Sequence, residues 1–167
     1  MDKSYEFSKD EKDNFFKLFP REKTINTENF SFKRLILCQS ELSIPVYMLK
    51  IYEKTKGKNN QKRPIVIISC RVHASEASSS FVIEGFLKFL IDQSKESIQL
   101  RKAFDFFIIP MLNPDGVTLG NSRNSYSGND LNRCWNNPNK IINPSIFYLK
   151  TLMQLLKCKK RSIKLEK

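Results

Sequence analysis

The chain has 167 residues, of which 40% are hydrophobic and 28% charged, with 5 glycines and 7 prolines. This composition excludes global disorder and a collagen-like chain, and the length suits about one domain with a sizeable core. The 29 basic and 17 acidic residues give a net charge of +12, which favours acidic partners.

The sequence contains no apolar run long enough to span a bilayer. Its first 20 residues are rich in charge and lack the apolar segment of a secretory signal. We therefore expect a soluble cytoplasmic protein without a membrane partner. The four cysteines form no Cys-x-x-Cys pair, and their spacings match no zinc ribbon. Without a secretory signal, we expect their thiols to be reduced.

The first half of the chain predicts three strands. Short β-branched and aromatic runs at 34–38 and 46–51 indicate two strands joined by a hairpin turn. A Lys- and Asn-rich segment at 54–63 follows and predicts an exposed loop. The continuous apolar run at 65–69 is typical of a strand that is buried on both faces.

In the second half, helical spacing of apolar residues predicts a helix over about 76–92. A further buried strand is expected at 104–109, and a long polar loop at 111–144. An amphipathic helix then begins at Asn143 and Pro144. Alternating strands and helices indicate an α/β fold, in which the strands at 65–69 and 104–109 are joined by a right-handed crossover.

The residues that follow the strand at 65–69 are of types that bind metals. His73, the only histidine in the chain, leaves the C-terminal end of this strand, and Glu76 follows three positions later. An imidazole and a carboxylate at this spacing can converge on one zinc ion, and ligands collect at this end of the strands in open α/β sheets. A histidine that is merely packed and hydrogen-bonded fits the same pattern.

The predicted loop at 111–144 carries three polar segments. The first, Asn113-Pro-Asp-Gly116, is typical of a tight turn. Arg123 and the pair Asn132-Arg133 follow on the same loop. Guanidinium and amide groups placed outside a sheet can bind carboxylates, although each of these side chains taken alone is equally well an ordinary exposed residue.

Together and in this order, these segments resemble the zinc metallocarboxypeptidases, most closely their cytosolic carboxypeptidase branch, the tubulin deglutamylases. The resemblance rests on Arg71-Val-His-Ala-Ser-Glu76, Pro110-Met-Leu-Asn-Pro-Asp-Gly-Val117 and Asp130-Leu-Asn-Arg-Cys-Trp135. It spans roughly residues 35–157. It implies a partial carboxypeptidase-like fold, a mixed β-sheet with flanking helices that is truncated before the later strands of the family.

The resemblance also implies roles for single residues. His73 and Glu76 would be ligands of a Zn²⁺ ion, and Arg123 would stabilise the oxyanion of the tetrahedral intermediate. Asn132 and Arg133 would bind the free α-carboxylate of the substrate. The family takes a third zinc ligand from a second histidine in a later Asp-x-His-Gly-His strand, and this chain has no second histidine.

The implied function is zinc-dependent removal of C-terminal residues, in particular glutamate from acidic or polyglutamylated tails such as those of tubulin. Because only two zinc ligands can be identified in this sequence, the chain alone is expected to be weakly active or inactive. The alternative is a non-catalytic protein that binds carboxylate tails. We expect an N-terminal extension at 1–33, a partial catalytic domain at 34–157 and a basic tail at 158–167. That tail would attract polyanions by charge alone, and no module for specific nucleic-acid binding is expected.

Overall fold

The computed structural model describes residues 21–26, 30–54 and 63–159, with the backbone alone at 21–26 and 158–159. Two expected features, the loop at 54–63 and the basic tail at 158–167, therefore lie largely outside the described residues. The strands are β1 (Arg21–Asn26), β2 (Phe30–Gln39), β3 (Pro45–Glu53), β4 (Ile65–Ser69) and β5 (Asp105–Ile109). The helices are α1 (Ser78–Ile91), α2 (Lys95–Ala103), α3 (Pro114–Thr118) and α4 (Pro144–Lys159), and a 3₁₀ turn covers Leu131–Arg133.

The five strands form one mixed sheet in the order β1-β2-β3-β5-β4. β2 and β3 pair antiparallel as the expected hairpin, whose turn contains Ser43 at a positive φ of 61°. β4 and β5 pair in parallel, with Ile65 opposite Asp105 and Ser69 opposite Ile109. The predicted α/β class and the mixed sheet with flanking helices are thereby confirmed.

Helices cover both faces of the sheet because alternate strand residues point to opposite sides. On one face, Leu37, Met48 and Ile109 are buried with Ile146 and Leu149 of α4. The other face buries a second apolar group that includes Ile51, Phe106 and Ile108 of the sheet and Ile83 and Leu90 of α1. β5, an inner strand, is buried as its apolar sequence predicts. β4 is only partly buried, because it is the last strand of the described sheet, so the expectation that it is buried on both faces is wrong.

The structure also departs from the sequence prediction elsewhere, and β1 is a strand that was not predicted. β2 and β3 extend beyond the predicted 34–38 and 46–51 at both ends. Helix α2 was not predicted, since its sequence is mainly polar; it begins after Ser94, whose hydroxyl accepts a hydrogen bond from the backbone NH of Ser97. The predicted loop at 111–144 contains α3 and the 3₁₀ turn.

Within the described residues, no helix is both long enough and apolar enough to cross a lipid bilayer.

Candidate metal and carboxylate site

The candidate site lies at the edge of the sheet where β4 and β5 end. Because these two strands are parallel and adjacent, the segments that follow them emerge side by side. The segment after β4 carries His73 and Glu76, and the segment after β5 begins α3 at Pro114. The backbone NH of Asn113 donates to the carbonyl of Arg71 at 3.0 Å, which joins the two segments directly.

His73 is held between two carboxylates. Its Nδ1 lies 2.8 Å from Oε1 of Glu76, and its Nε2 lies 3.1 Å from Oδ1 of Asp130. The histidine is buried, at 6% exposure, whereas the side chain of Glu76 is 52% exposed. One side of the ring therefore faces the interior of the loop cluster, and the other faces an accessible carboxylate.

The ring nitrogens have distinct roles in this arrangement. A neutral imidazole that donates from Nε2 to Asp130 presents the lone pair of Nδ1 toward Glu76. A histidine that binds a metal commonly donates its other ring NH to a carboxylate in this way, which fixes the tautomer and the ring orientation. The paired Nδ1 and Oε1 atoms thus fit two of the ligands of a zinc ion.

The described residues supply these two ligands and no more. Among residues 30–54 and 63–157, whose side chains the structure describes, no group of three His, Cys, Asp or Glu side chains is placed to hold a metal ion. Catalytic zinc sites use three protein ligands and an open position. The donor set therefore fits zinc in kind, through one imidazole and one carboxylate.

Asp130 is the electrostatic centre of the cluster. Arg123 Nε donates to its Oδ2 at 2.7 Å, and the backbone NH of Asn132 donates to its Oδ1 at 2.9 Å. Chiefly the hydrogen bond from Arg123, opposed by desolvation and assisted by Asn132 and His73, lowers the pKa of Asp130 from 3.8 to about 2. Asp130 is accordingly an anion above that pH, and it joins His73 to Arg123.

The Asn-Pro-Asp-Gly segment is more than a surface turn. The side chain of Asn113 caps α3 by accepting from the backbone NH of Gly116 at 2.9 Å, while its Nδ2 donates to the carbonyl of Asn124 at 3.2 Å. Asp115 is buried and accepts from the Ser40 hydroxyl at 2.5 Å. These contacts fix the loop that carries Arg123 against the ends of β4 and β5.

The structure brings together some of the predicted site residues more closely than others. His73, Glu76 and Arg123 belong to one cluster through Asp130. Asn132 joins this cluster through its backbone NH, while its side-chain oxygen accepts from Trp135 Nε1 at 3.1 Å. Arg133 follows on the same 3₁₀ turn with an exposed side chain.

Asp130 is a site residue that the sequence patterns did not predict. It stands two positions before Asn132 within a segment that was already recognised, and it caps the 3₁₀ turn by accepting from the Asn132 backbone NH. A signal was available in principle, since a metal-binding histidine needs an acceptor for its second ring nitrogen. The 57 positions between His73 and Asp130 leave no local pattern that pairs them.

Comparisons with known proteins identify the family to which this sequence is similar. The zinc carboxypeptidase family matches residues 23–146. Cytosolic carboxypeptidase 1 of Danio rerio is 47% identical over 102 residues, which cover 61% of this chain and 9% of that protein. Cytosolic carboxypeptidase 4 of Homo sapiens is 38% identical over 138 residues, which cover 79% of this chain and 12% of that protein. The chain thus spans about a tenth of the length of these curated relatives.

Solved structures show the same fold. A metallo-carboxypeptidase from Burkholderia cenocepacia superposes with a TM-score of 0.68 at 24% identity, covering 74% of this chain and 33% of that chain. A metallo-carboxypeptidase from Pseudomonas aeruginosa superposes with a TM-score of 0.63 at 21% identity, covering 80% of this chain and 32% of that chain. The sheet with its flanking helices therefore corresponds to part of a carboxypeptidase fold.

Proposed function

Because this chain belongs to the zinc carboxypeptidase family, we propose that its His73–Glu76 site serves the zinc-dependent removal of C-terminal residues from acidic protein tails. The family consists of metallocarboxypeptidases, hydrolases that act on the C-termini of peptides. The observation that carries the proposal is the contact of His73 with both Glu76 and Asp130 beside Arg123.

In this proposal, His73 and Glu76 would hold the zinc ion, and Asp130 would keep the imidazole in the tautomer that a metal needs. Bound zinc would lower the pKa of a water molecule to about 7 and polarise the scissile carbonyl. Arg123, whose side chain is 47% exposed, would supply a fixed positive charge beside the developing oxyanion.

Asn132 and Arg133 would recognise the substrate. An exopeptidase must bind the free α-carboxylate of the last residue, and a guanidinium with a neighbouring amide suits a planar anion. Both residues are exposed on the 3₁₀ turn that directly follows Asp130. The same short segment would therefore orient the zinc ligand and bind the end of the substrate.

We propose glutamate-rich tails, including the polyglutamylated tails of tubulin, as substrates in the cytoplasm. The net charge of +12 favours an acidic substrate. The curated relatives are named cytosolic carboxypeptidases, which supports the proposed location. Since the chain supplies one histidine and the described residues offer two ligands, we expect the isolated chain to turn over substrate slowly or not at all.

The test measures zinc binding and glutamate release on the same protein. A peptide that ends in several glutamates is incubated with the chain and zinc, next to His73→Ala and the surface control Lys88→Ala. We expect zinc binding that His73→Ala removes and Lys88→Ala preserves, with any slow glutamate release following the same pattern. Zinc binding that is unchanged in His73→Ala would contradict the proposed site.

The alternative function is binding of carboxylate tails without catalysis. The exposure of Arg123 and Arg133 favours it, because both guanidinium groups are accessible whether or not zinc is bound. Binding of a free-acid peptide that falls in Arg133→Ala and persists with a zinc chelator would support this alternative. Equal binding of the free-acid peptide and its C-terminal amide would exclude it.

A further inference from the structure

Arg71 has an unusual backbone conformation at the point where the chain leaves β4. Its φ of 52° lies in the left-handed region, and Arg71 and Ser43 are the two non-glycine residues with positive φ among the described residues. Such a conformation is strained for an L-residue and persists where its surroundings hold it in place. Arg71 lies two positions before His73, so its conformation sets the direction in which the proposed metal-binding turn begins.

The guanidinium of Arg71 folds back onto this same turn. Its Nε and Nη2 both donate to the carbonyl oxygen of Ala74, at 3.1 and 2.5 Å. Its Nη1 donates to the hydroxyl of Ser80 at 3.1 Å. Ala74 is 3% exposed and lies between His73 and Glu76 in the chain. The bidentate contact therefore holds the peptide group that connects the two proposed zinc ligands.

The backbone of Arg71 joins this turn to its surroundings. Its NH donates to the Ser79 hydroxyl at 3.3 Å, and its carbonyl accepts from the NH of Asn113 at 3.0 Å. A second anchor lies one residue beyond the guanidinium contact, where the NH of Ser75 donates to the carbonyl of Ser122 at 2.9 Å. Arg71 thus links the turn to α1 on one side and to the segment after β5 on the other.

From these contacts we infer that Arg71 is a positioning residue, which sets the spacing of His73 and Glu76 by holding the Ala74 carbonyl. The inference rests on the proposed function and adds a residue that touches neither ligand. A bidentate guanidinium fixes both the distance and the orientation of its acceptor, which a lysine ammonium cannot do. Without it, the strained turn would relax and the two ligands would no longer converge.

The chain offers a matched control at the other end of β4. Arg63 is also a partly buried arginine that donates to a backbone carbonyl, through Nη2 to Glu53 at 2.7 Å, and to Asp105 through Nε. Removal of the Arg63 side chain therefore breaks hydrogen bonds comparable to those of Arg71, but at the end of β4 that lies away from His73. The variants Arg71→Ala, Arg71→Lys, Ser80→Ala and Arg63→Ala therefore separate loss of positioning from general loss of stability.

The experiment measures zinc affinity of the full chain by competition with a chromophoric chelator, with urea unfolding in parallel to confirm that each variant is folded. We expect about 10–100-fold weaker zinc binding in Arg71→Ala, the range typical of lost outer-shell contacts. Arg71→Lys should fall between Arg71→Ala and the unchanged chain, Ser80→Ala should show a smaller loss, and Arg63→Ala should bind zinc normally.

A second measurement does not depend on zinc. Because His73 is the only histidine, the imidazole resonances in an NMR spectrum of the metal-free chain report on this residue alone. We expect them to shift in Arg71→Ala and to stay in place in Arg63→Ala. Zinc affinity and resonances of Arg71→Ala that match those of Arg63→Ala would overturn the inference. Failure of the unchanged chain to bind zinc would instead overturn the proposed function, with Arg71 still judged by the spectrum.

Discussion

The Nε2 atom of His73 lies 3.1 Å from Oδ1 of Asp130, a residue 57 positions further along the chain. This single contact joins the segment after β4 to the 3₁₀ turn that carries Asn132 and Arg133. It also connects the proposed zinc ligand to Arg123, which donates to the other oxygen of the same carboxylate. Asp130 therefore orients the imidazole, holds the side chain of Arg123 and caps the 3₁₀ turn that carries Arg133.

Replacing Asp130 by asparagine should weaken zinc binding by about 10–100-fold, because the imidazole loses its charged acceptor. Chelator competition measures this effect. Asp105→Asn is the matched control, since Asp105 accepts from Arg63 Nε at 2.7 Å, as Asp130 accepts from Arg123 Nε at 2.7 Å, but lies at the opposite end of β5. Equal zinc affinity in the two variants would show that Asp130 has no special part in the site.

The low pKa of Asp130 predicts how stability changes in acid. Its folded-state pKa of about 2, against an ordinary 3.8, reflects first the hydrogen bond from Arg123. A carboxyl whose pKa is lower in the folded state stabilises the fold above its unfolded-state pKa, and this contribution disappears as the pH falls through the folded value. The free energy of unfolding should therefore decline between about pH 4 and pH 2 more steeply in the unchanged chain than in Asp130→Asn. Urea titrations across this range measure both slopes, and parallel curves would contradict the prediction.

Local sequence patterns predicted the strands and helices whose own residues carry a clear apolar pattern. The apolar runs predicted β4 at 65–69 and all of β5 with one extra residue at its start, and helical spacing predicted α1 and α4 within a few residues. Helix α2 was not predicted, because its apolar content is low and because it is held by a contact with a residue distant in the sequence. Arg101 is fully buried and donates to Glu53, 48 positions earlier, so the helix depends on a partner that its own sequence does not reveal.

The candidate site likewise contains residues that sequence spacing predicts and one that it does not. His73 and Glu76 are three residues apart, and the structure brings their side chains into contact, as that spacing suggests. Asp130 is brought to His73 by the packing of two loops, and this depends on α3 and on the capping residue Asn113 rather than on any spacing. The roles of Asn132 and Arg133 concern a substrate, so the fold alone cannot assign them, and they remain predictions.

Gly116 is required by close packing at the site. A Cβ atom at this position would lie 2.5 Å from the carbonyl oxygen of Asn124 and 2.6 Å from Nδ2 of Asn113. We expect Gly116→Ala to lower the free energy of unfolding by about 1–3 kcal/mol through overpacking, and to weaken zinc binding because Ala74, 3.0 Å away, adjoins His73.

Gly85 provides the control for this prediction. It lies within α1, and a Cβ atom there would meet nothing within 4 Å. Gly85→Ala should therefore stabilise the chain by about 0.5–1 kcal/mol, because alanine loses less backbone freedom than glycine in a helix. Urea unfolding should show a lower free energy of unfolding in Gly116→Ala and a higher one in Gly85→Ala. A Gly116→Ala variant as stable as the unchanged chain would refute the packing argument.

The buried residue Arg101 allows a prediction about the stability of the core. It is fully buried, and its Nε donates to Oε2 of Glu53 at 3.0 Å, while its guanidinium lies 4.5 Å from the ring of Phe30. Removing one member of a buried ion pair leaves the other charge without compensation, so Arg101→Ala should destabilise the fold by about 3–5 kcal/mol.

Removing both charges separates the loss of the ion pair from the loss of packing. Replacing a buried pair by apolar residues is often neutral, so Arg101→Met with Glu53→Leu should recover most of the stability that Arg101→Ala loses. Urea unfolding of the single and double variants gives this recovery directly. A double variant as unstable as Arg101→Ala would mean that the hydrogen bonds from Nη1 to the carbonyls of Leu90 and Asp92, rather than the charge of Glu53, hold α2 in place.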